Sequence, residues 1–215
     1  MLKAMNREPG SHKGENGKVA VIGGSRLIHG APVFSALAAE AAGADLLYLF
    51  VPPAHEEVTK QASLNFQVHT FAQQELTGTD VGPVLQLLAS MDCAVIGPGL
   101  SRDATSLTAL RQIVTGAPCP VVLDASALQP DTLQWITGKT AVLTPHLGEL
   151  ERMGIQEEDI TQRAKESGAT LLLKGQTDRI AGPDGKLHEV QGGHWLNADN
   201  PAAIVELLSE RLPQD

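Results

Sequence analysis

The chain has 215 residues, of which 42% are hydrophobic but only 3% aromatic, and its formal net charge is −9. This length suits one domain with a sizeable core, which must be built mainly from aliphatic side chains and alanine. The acidic balance argues against nucleic-acid binding, because nucleic-acid-binding surfaces carry excess positive charge. A small nucleotide is compatible with it, since backbone amides and one lysine suffice to bind phosphates.

The two cysteines, Cys93 and Cys119, have neither metal-binding nor redox spacing, which is typical of a reduced cytoplasmic protein. Residues 1–17 are polar and basic, and we find no signal peptide and no stretch apolar enough to span a membrane. We therefore expect a cytoplasmic protein without a membrane partner. Residues 1–11 are expected to form a flexible lead-in, and residues 12–215 a single domain.

Apolar runs alternate with helical segments along the chain, which predicts a mainly parallel sheet flanked by helices. The expected strands cover 18–22, 45–51, 65–71, 94–97, 120–124, 140–144 and 171–174, with short β segments around a turn at 182–185. The expected helices cover 31–42, 55–61, 83–90, 103–114, 130–136, 157–167 and 201–212, with another beginning within 149–153. We expect residues 73–82 to be turns.

Four of the predicted strands end abruptly in glycine or in charged residues. These endings are Gly23-Gly24-Ser25, Gly97-Pro98-Gly99, the loop from Thr144 to Glu149, and Lys174-Gly175. Ligands of open α/β sheets bind at the carboxyl edge, where such loops meet. The sequence therefore predicts a single ligand cleft at that edge.

Both glycine-rich endings have two interpretations. Gly23-Gly24-Ser25 precedes an alanine-rich helix and could bind a phosphate on its backbone amides, or it could be a plain tight turn. It is not a GxGxxG fingerprint, and no Walker motif occurs in the chain. Gly97-Pro98-Gly99 could terminate a strand or let a ligand approach the backbone closely.

The polar candidates are similarly open. The i, i+3 spacing of His146 and Glu149 suits a metal pair, but a third ligand is not evident, so an apolar-substrate or nucleotide contact by His146 is favoured over zinc. Glu149 could equally complement the dipole of a helix. Lys174 either contacts a phosphate or extends its ammonium from the strand end into water. Asp124 is either functional or the cap of a turn.

Seven short motifs follow one another along the chain: His12-Lys13-Gly14, Gly23-Gly24-Ser25, Gly30-Ala31, Gly97-Pro98-Gly99-Leu100, Leu123-Asp124-Ala125, Thr144-Pro145-His146-Leu147-Gly148-Glu149 and Leu173-Lys174-Gly175. Together they resemble those of one family, the ADP/ATP-dependent NAD(P)H-hydrate dehydratases, a YjeF-related and ribokinase-like group. The resemblance preserves order and approximate spacing from residue 12 to about residue 190.

The resemblance implies a ribokinase-like three-layer α/β/α fold and repair of hydrated NADH or NADPH, using ATP or ADP with Mg²⁺. By position, the family residues at the hydrated dinucleotide correspond to Ala31, Gly99 and His146. Those of the adenine-nucleotide segment correspond to Lys174, Gly175 and Thr177. The family also implies a homo-oligomer, often a tetramer.

The sequence departs from the family after Asn200-Pro201, where no Gly-x-Gly-Asp motif follows. The resemblance is therefore to a C-terminally truncated member, in which we expect helix 201–212 to cover the surface that the missing segment would occupy. In the family this motif supplies an anion hole and the expected base, so the catalytic residue stays unassigned, and no metal ligand is assigned. A smaller departure is Ser126, which stands where the family often has a second aspartate.

Three hypotheses follow. In the first, the chain is a dehydratase whose base comes from elsewhere, with Asp124, Asp178 and Asp199 as candidates. Alternatively, it is a catalytically impaired relative that binds nucleotide in a binding or assembly role, or a ribokinase-like small-molecule kinase. The kinase suffers most from the missing motif, because phosphoryl transfer depends on positioning and electrostatic stabilisation.

Overall fold

The computed structural model describes residues 10–191, which form one nine-stranded sheet. The strands are β1 (Lys18–Ile22), β2 (Leu46–Val51), β3 (Phe66–Thr70), β4 (Cys93–Ile96), β5 (Val121–Leu123), β6 (Ala141–Leu143), β7 (Thr170–Leu173), β8 (Thr177–Ala181) and β9 (Leu187–Gln191). Their order in the sheet is β3-β2-β1-β4-β5-β6-β7-β8-β9. Strands β1 to β7 are parallel, while β8 and β9 form an antiparallel hairpin at one end.

The helices connect successive parallel strands. They are α1 (Gly30–Ala42), α2 (Glu56–Ala62), α3 (Gly78–Leu88), α4 (Ala104–Gly116), α5 (Thr132–Trp135), α6 (Leu147–Arg152) and α7 (Ile160–Ser167), with short 3₁₀ turns at Pro53–His55, Ala125–Ala127 and Glu157–Asp159. None of these helices combines the length and apolarity that crossing a bilayer requires.

The core has two layers because strand side chains alternate between the faces of the sheet. Ala20 and Ile22 of β1 belong to a large apolar cluster that includes residues of α3 and α4. Val21, from the same strand, belongs to a second cluster with Ala36 of α1. Helices therefore cover both faces, which confirms the predicted three-layer α/β/α arrangement.

The predicted strands 18–22 to 171–174 are confirmed, each to within one residue at either end. The predicted hairpin is also present, and Gly43 and Gly168 end α1 and α7 with φ of +106° and +70°. Apolar runs are a reliable signal here because the parallel strands are buried on both faces. The expected helix 201–212 lies outside the described residues.

The predicted boundary between turns and helix within residues 73–90 was wrong. Helix α3 begins at Gly78, within the segment expected to be turns, and contains Pro83. Thr77 and Asp80 form a capping box, in which each side chain accepts a hydrogen bond from the other's backbone N–H. The capping box marks the start of the helix at Gly78, and Gly82 and Pro83 lie inside it.

Candidate functional site

The predicted cleft residues meet at the carboxyl edge of the sheet. Gly23, Gly97, Asp124, Thr144 and Lys174 each directly follow the last residue of β1, β4, β5, β6 and β7. These five strands are parallel neighbours, so their carboxyl ends lie side by side. The structure therefore places all four predicted strand endings on one edge, as the single-cleft hypothesis requires.

The strand order reverses between β1 and β4, which makes this pair the topological switch point where ligands of open α/β sheets bind. The Gly24 N–H donates a hydrogen bond to Pro98 O at 2.8 Å, joining the two loops. Gly99 has φ of +73°, and a methyl group built on it would lie 3.3 Å from Ala31 Cβ and 3.4 Å from Gly24 Cα. The predicted substrate residues Ala31 and Gly99 are thus adjacent.

We call Gly23, Gly24, Ala31, Gly97 and Gly99 the glycine half of the edge. A methyl group on Gly23 would lie 2.4 Å from Pro98 O, and one on Gly97 would lie 2.0 Å from Asp124 O. Such distances are far below van der Waals contact, so the loops interlock only because these side chains are missing. The glycine half is therefore a closely packed junction of the loops after β1, β4 and β5, built from backbone and small side chains.

The other part of the edge is the charged half, which comprises Asp124, Thr144, His146, Glu149 and Lys174. The Lys174 Nζ lies 2.8 Å from Asp124 Oδ1 and 3.8 Å from Glu149 Oε2. The Thr144 hydroxyl donates to the same Asp124 oxygen at 2.8 Å. Lys174 and Asp124 keep 38% and 30% of their side-chain surface exposed, so the pair is accessible from solvent. Lys174 is therefore held at the carboxyl edge by Asp124 rather than extended alone into water.

His146 caps helix α6 reciprocally with Glu149. The His146 N–H donates to Glu149 Oε2 at 3.0 Å, and the Glu149 N–H donates to His146 Nδ1 at 3.2 Å. Because Nδ1 accepts here, the neutral imidazole carries its proton on Nε2. The side chain of His146 is 56% exposed, and its Nε2 lies 3.5 Å from Glu149 Oε1. Their i, i+3 spacing is thus explained by a helix cap.

Residues 10–191 contain no group of three or more His, Cys, Asp or Glu side chains arranged to hold a metal ion. Mg²⁺ at nucleotide sites commonly takes one or two carboxylates, with phosphates and water completing its coordination. The charged half offers carboxylates of that kind, so its chemistry fits Mg²⁺ that arrives with a nucleotide.

His146 lies in the charged half and not beside the other two predicted substrate residues. It pairs with Lys174 across a parallel bridge between the loops after β6 and β7. His146 follows β6, which is two strand spacings, roughly 10 Å, from β4, the strand that precedes Gly99. The edge therefore has two ends, and a ligand contacting both His146 and Gly99 must be extended.

Arg152 was missed by the sequence analysis. It donates from Nε to Leu128 O at 2.8 Å and from a terminal nitrogen to Ala125 O at 3.0 Å. The same terminal nitrogen lies 3.8 Å from Glu149 Oε1. Ala125 has φ of +52°, an uncommon conformation for a residue with a Cβ, and this contact helps to hold it. Arg152 thereby fixes the loop after Asp124, and its i, i+3 spacing from Glu149 was the available signal.

The predicted nucleotide segment is the short connection between β7 and β8. The Gly175 N–H donates to Asp178 Oδ1 at 2.8 Å, and Thr177 is the first residue of β8. Asp178 is 1% exposed, and its Oδ2 is buried without a hydrogen-bond partner among the described residues. This burial argues against Asp178 as a base, whereas Asp124 remains accessible. Asp199 lies outside the described residues.

Burial raises the pKa of the Cys93 thiol to about 11 and also raises the pKa of Cys119. A thiol with a raised pKa forms little of the reactive thiolate at neutral pH. Both cysteines are free.

Solved structures define the class of this fold. A ribokinase-like superfamily protein from Enterococcus faecalis V583 superposes with a TM-score of 0.74 at 23% identity, covering 88% of this chain and 68% of that one. The ADP/ATP-dependent NAD(P)H-hydrate dehydratase from Bacillus subtilis, crystallised with ATP/Mg²⁺, gives a TM-score of 0.70 at 26% identity, covering 91% and 71%. The fold is ribokinase-like.

The family follows from sequence. Residues 19–199 match the family described as NAD(P)H-hydrate dehydratase, and the chain belongs to that family. Two similar relatives are the ADP-dependent (S)-NAD(P)H-hydrate dehydratases of Nitrosopumilus maritimus and Cenarchaeum symbiosum, at 38% and 40% identity over 187 residues. Each alignment covers 82% of this chain and 65% of the relative, so the chain spans about two thirds of their length.

Proposed function

We propose that this protein is an ADP- or ATP-dependent dehydratase that repairs hydrated NADH or NADPH. The observation that carries the proposal is the division of one sheet edge into a glycine half at the switch point and a charged half around Lys174. A reaction between a dinucleotide and a phosphate donor needs both kinds of surface. The relatives that bear this activity by name support it.

The charged half would hold the nucleotide. Lys174 presents a compact positive charge, and an ammonium has three N–H donors. It can therefore donate to a phosphate oxygen while it keeps Asp124 at 2.8 Å. Gly175 and Thr177 follow in the same connection and complete the segment that the resemblance assigns to the adenine nucleotide. Mg²⁺ is proposed as the partner of the phosphates, with Asp124 and Glu149 as the nearby carboxylates.

The glycine half would hold the hydrated nicotinamide end of the substrate. Gly99 and Ala31 lie together at the switch point, with Ile28 against Gly99, and these residues would form the surface that faces the ring. His146 Nε2 would donate a hydrogen bond to the extended dinucleotide from the other end of the edge. When bound, the nucleotide supplies the phosphoryl group whose transfer drives loss of the hydroxyl. The residues of this chain bind, orient and shield the reactants.

The purified chain incubated with hydrated NADH and ATP or ADP tests the proposal. We expect regeneration of NADH, followed by its absorbance and fluorescence, only when nucleotide and Mg²⁺ are both present. Nucleotide binding in titration calorimetry without turnover would instead support the impaired, binding-only relative. Phosphorylation of a small hydroxyl compound without NADH formation would support the kinase hypothesis.

We include a homo-oligomer and a cytoplasmic location in the proposal, and both rest on the resemblance and on the composition. Light scattering coupled to size-exclusion chromatography measures the first. A single species with the mass of one chain would contradict it.

A further inference from the structure

The loop between β1 and α1 forms a small lip over the switch point, and we use this name for residues 25–29. Ser25 and Ile28 exchange two backbone hydrogen bonds of 3.0 Å, which closes a tight turn with Arg26 and Leu27 at its tip. Leu27 is 88% exposed and Ile28 is 46% exposed. Hydrophobic packing therefore contributes little to holding the tip, and polar contacts must set its position.

The lip reaches the glycine half through Ile28. A methyl group built on Gly99 would lie 2.8 Å from Ile28 Cγ2, so this side chain rests directly against the Gly99 backbone. Helix α1 begins at Gly30 and carries Ala31 immediately after the lip. The lip is therefore packed directly against Gly99 and is continuous in sequence with Ala31.

His55 holds one side of the lip. It lies in the 3₁₀ turn after β2, and its Nε2 is 2.9 Å from Ser25 O and 3.1 Å from Arg26 O. Both oxygens are carbonyls, which only accept, so Nε2 carries a proton and donates to the pair. The His29 ring at the end of the lip packs at 5.3 Å from the His55 ring.

Glu75 holds the other side. It lies between β3 and α3, and its Oε1 accepts the Arg26 N–H at 3.1 Å. Arg26 is therefore fixed at its carbonyl by an imidazole and at its N–H by a carboxylate. These two side chains come from segments 29 and 49 residues from Arg26 along the chain. The position of the lip is therefore set by side chains from two other segments of the fold, and not only by hydrogen bonds within the lip.

We propose that His55 and Glu75 are positioning residues that hold the lip in the geometry that binds the hydrated nicotinamide end of the substrate. Neither residue is proposed to contact the reacting atoms. The identity of the ligand rests on the function proposed above, whereas the fixing of the lip does not.

Hydrogen–deuterium exchange of the full chain tests the fixing of the lip. In His55→Ala and Glu75→Ala, amides of peptides covering residues 24–30 should exchange about fivefold faster or more, because each variant loses hydrogen bonds to this loop. Gln74→Ala, at an exposed neighbouring position, is the matched control and should leave the exchange unchanged. His55→Gln and Glu75→Gln keep a donor and an acceptor and should retain most of the protection.

Binding measurements on the same variants test the role of the lip. We expect the two alanine variants to raise the KM for hydrated NADH about fivefold to thirtyfold with kcat little changed, since binding of ground state and transition state weakens alike. Affinity for ADP should be unchanged, because Lys174 lies beyond β4, β5 and β6 from the lip. The glutamine variants should recover the parent KM.

The outcomes are distinguishable. Unchanged exchange in both alanine variants would show that His55 and Glu75 do not hold the lip, whatever the kinetic results. Faster exchange with an unchanged KM would overturn the role of the lip in substrate binding. If the parent does not bind hydrated NADH at all, both the proposed function and the ligand named here are wrong. The exchange data then still decide whether His55 and Glu75 hold the lip.

Discussion

The glycine half and the charged half of the sheet edge are built in opposite ways. In the glycine half, loops after β1 and β4 interlock because side chains are missing, and a methyl group on Gly97 would lie 2.0 Å from Asp124 O. In the charged half, Lys174, Asp124 and Glu149 hold one another through side-chain charges. Substitutions in the first should therefore act through sterics and the fold, and in the second through binding.

The largest effect is expected from Gly97→Ala. The new methyl group would meet backbone rather than a flexible side chain, and φ of +119° is itself unfavourable for a residue with a Cβ. We expect the free energy of unfolding to fall by about 3 kcal/mol or more, measured by chemical denaturation. Gly138→Ala is the control, because Gly138 has φ of +75° but no atom within 4 Å of the added methyl group.

The free energy of unfolding of the control variant should fall by only about 1 kcal/mol, which is the cost of a positive φ for a residue with a Cβ. Equal losses in Gly97→Ala and Gly138→Ala would show that backbone conformation alone matters. The interlocking of the loops would then be irrelevant to stability, and the contrast between the two halves would disappear.

Lys174→Ala should act on nucleotide binding instead. The variant removes the charge proposed to contact phosphate, and affinity for ADP or ATP should fall by about 1–3 kcal/mol in titration calorimetry. Stability should change little, since Lys174 and Asp124 are both substantially exposed and such pairs contribute about 0–1 kcal/mol. Lys186→Ala, which removes a 70%-exposed lysine of the β8–β9 hairpin, is the control. A loss of stability without loss of affinity would make Lys174 structural.

Asp178 combines features of both halves, because it is a charged side chain like those of the charged half but acts on the fold. Its buried carboxylate accepts a hydrogen bond from the Gly175 backbone N–H. Asp178→Ala removes the acceptor of the Gly175 N–H and should lower the free energy of unfolding by about 1–3 kcal/mol. Asp178→Asn keeps a carbonyl acceptor and removes a buried charge, so its loss should be smaller. Denaturation of the two variants side by side checks this order. The reverse order would show that the charge of Asp178 has a partner of its own.

The positions of both halves could be predicted from sequence, whereas their internal contacts could not. Apolar runs that stop at Gly23, Gly97 and Lys174 locate the carboxyl ends of strands, because buried parallel strands are continuous apolar segments. The pairing of Lys174 with Asp124 joins residues from β7 and β5 and depends on the strand order. Local spacing does not encode that order.

The same distinction explains the contacts that were missed. His55 and Glu75 reach the lip from other loops, so no motif reports them. The Thr77–Asp80 capping box was a local sequence signal for the start of α3, but the neighbouring glycines and proline led to the prediction of turns instead. The roles predicted for Ala31, Gly99, His146, Lys174, Gly175 and Thr177 stay predictions until binding is measured.

The smallest effect is expected from a substitution of Asp103, a charged residue next to the glycine half that stabilises a helix. It is the N-cap of α4, the helix after the Gly97-Pro98-Gly99 loop, and accepts the N–H groups of Thr105 and Ser106. The hydrogen bond from the Ser106 N–H, followed by those from neighbouring side chains, lowers the pKa of Asp103 to about 2. Asp103→Ala should reduce the free energy of unfolding by about 1 kcal/mol at neutral pH.

The pH dependence follows from the direction of this pKa shift. Because the pKa of Asp103 in the folded protein is below its unfolded value of 3.8, the stabilisation is fully present well above pH 3.8 and is lost as the pH falls toward about 2. The difference in stability between the parent and Asp103→Ala should therefore shrink over that interval in urea denaturation. Asp103→Ala should keep the ADP affinity of the parent, since α4 follows β4 and Lys174 follows β7, three strands away. A binding defect in this variant would mean that the two halves of the edge are coupled through α4.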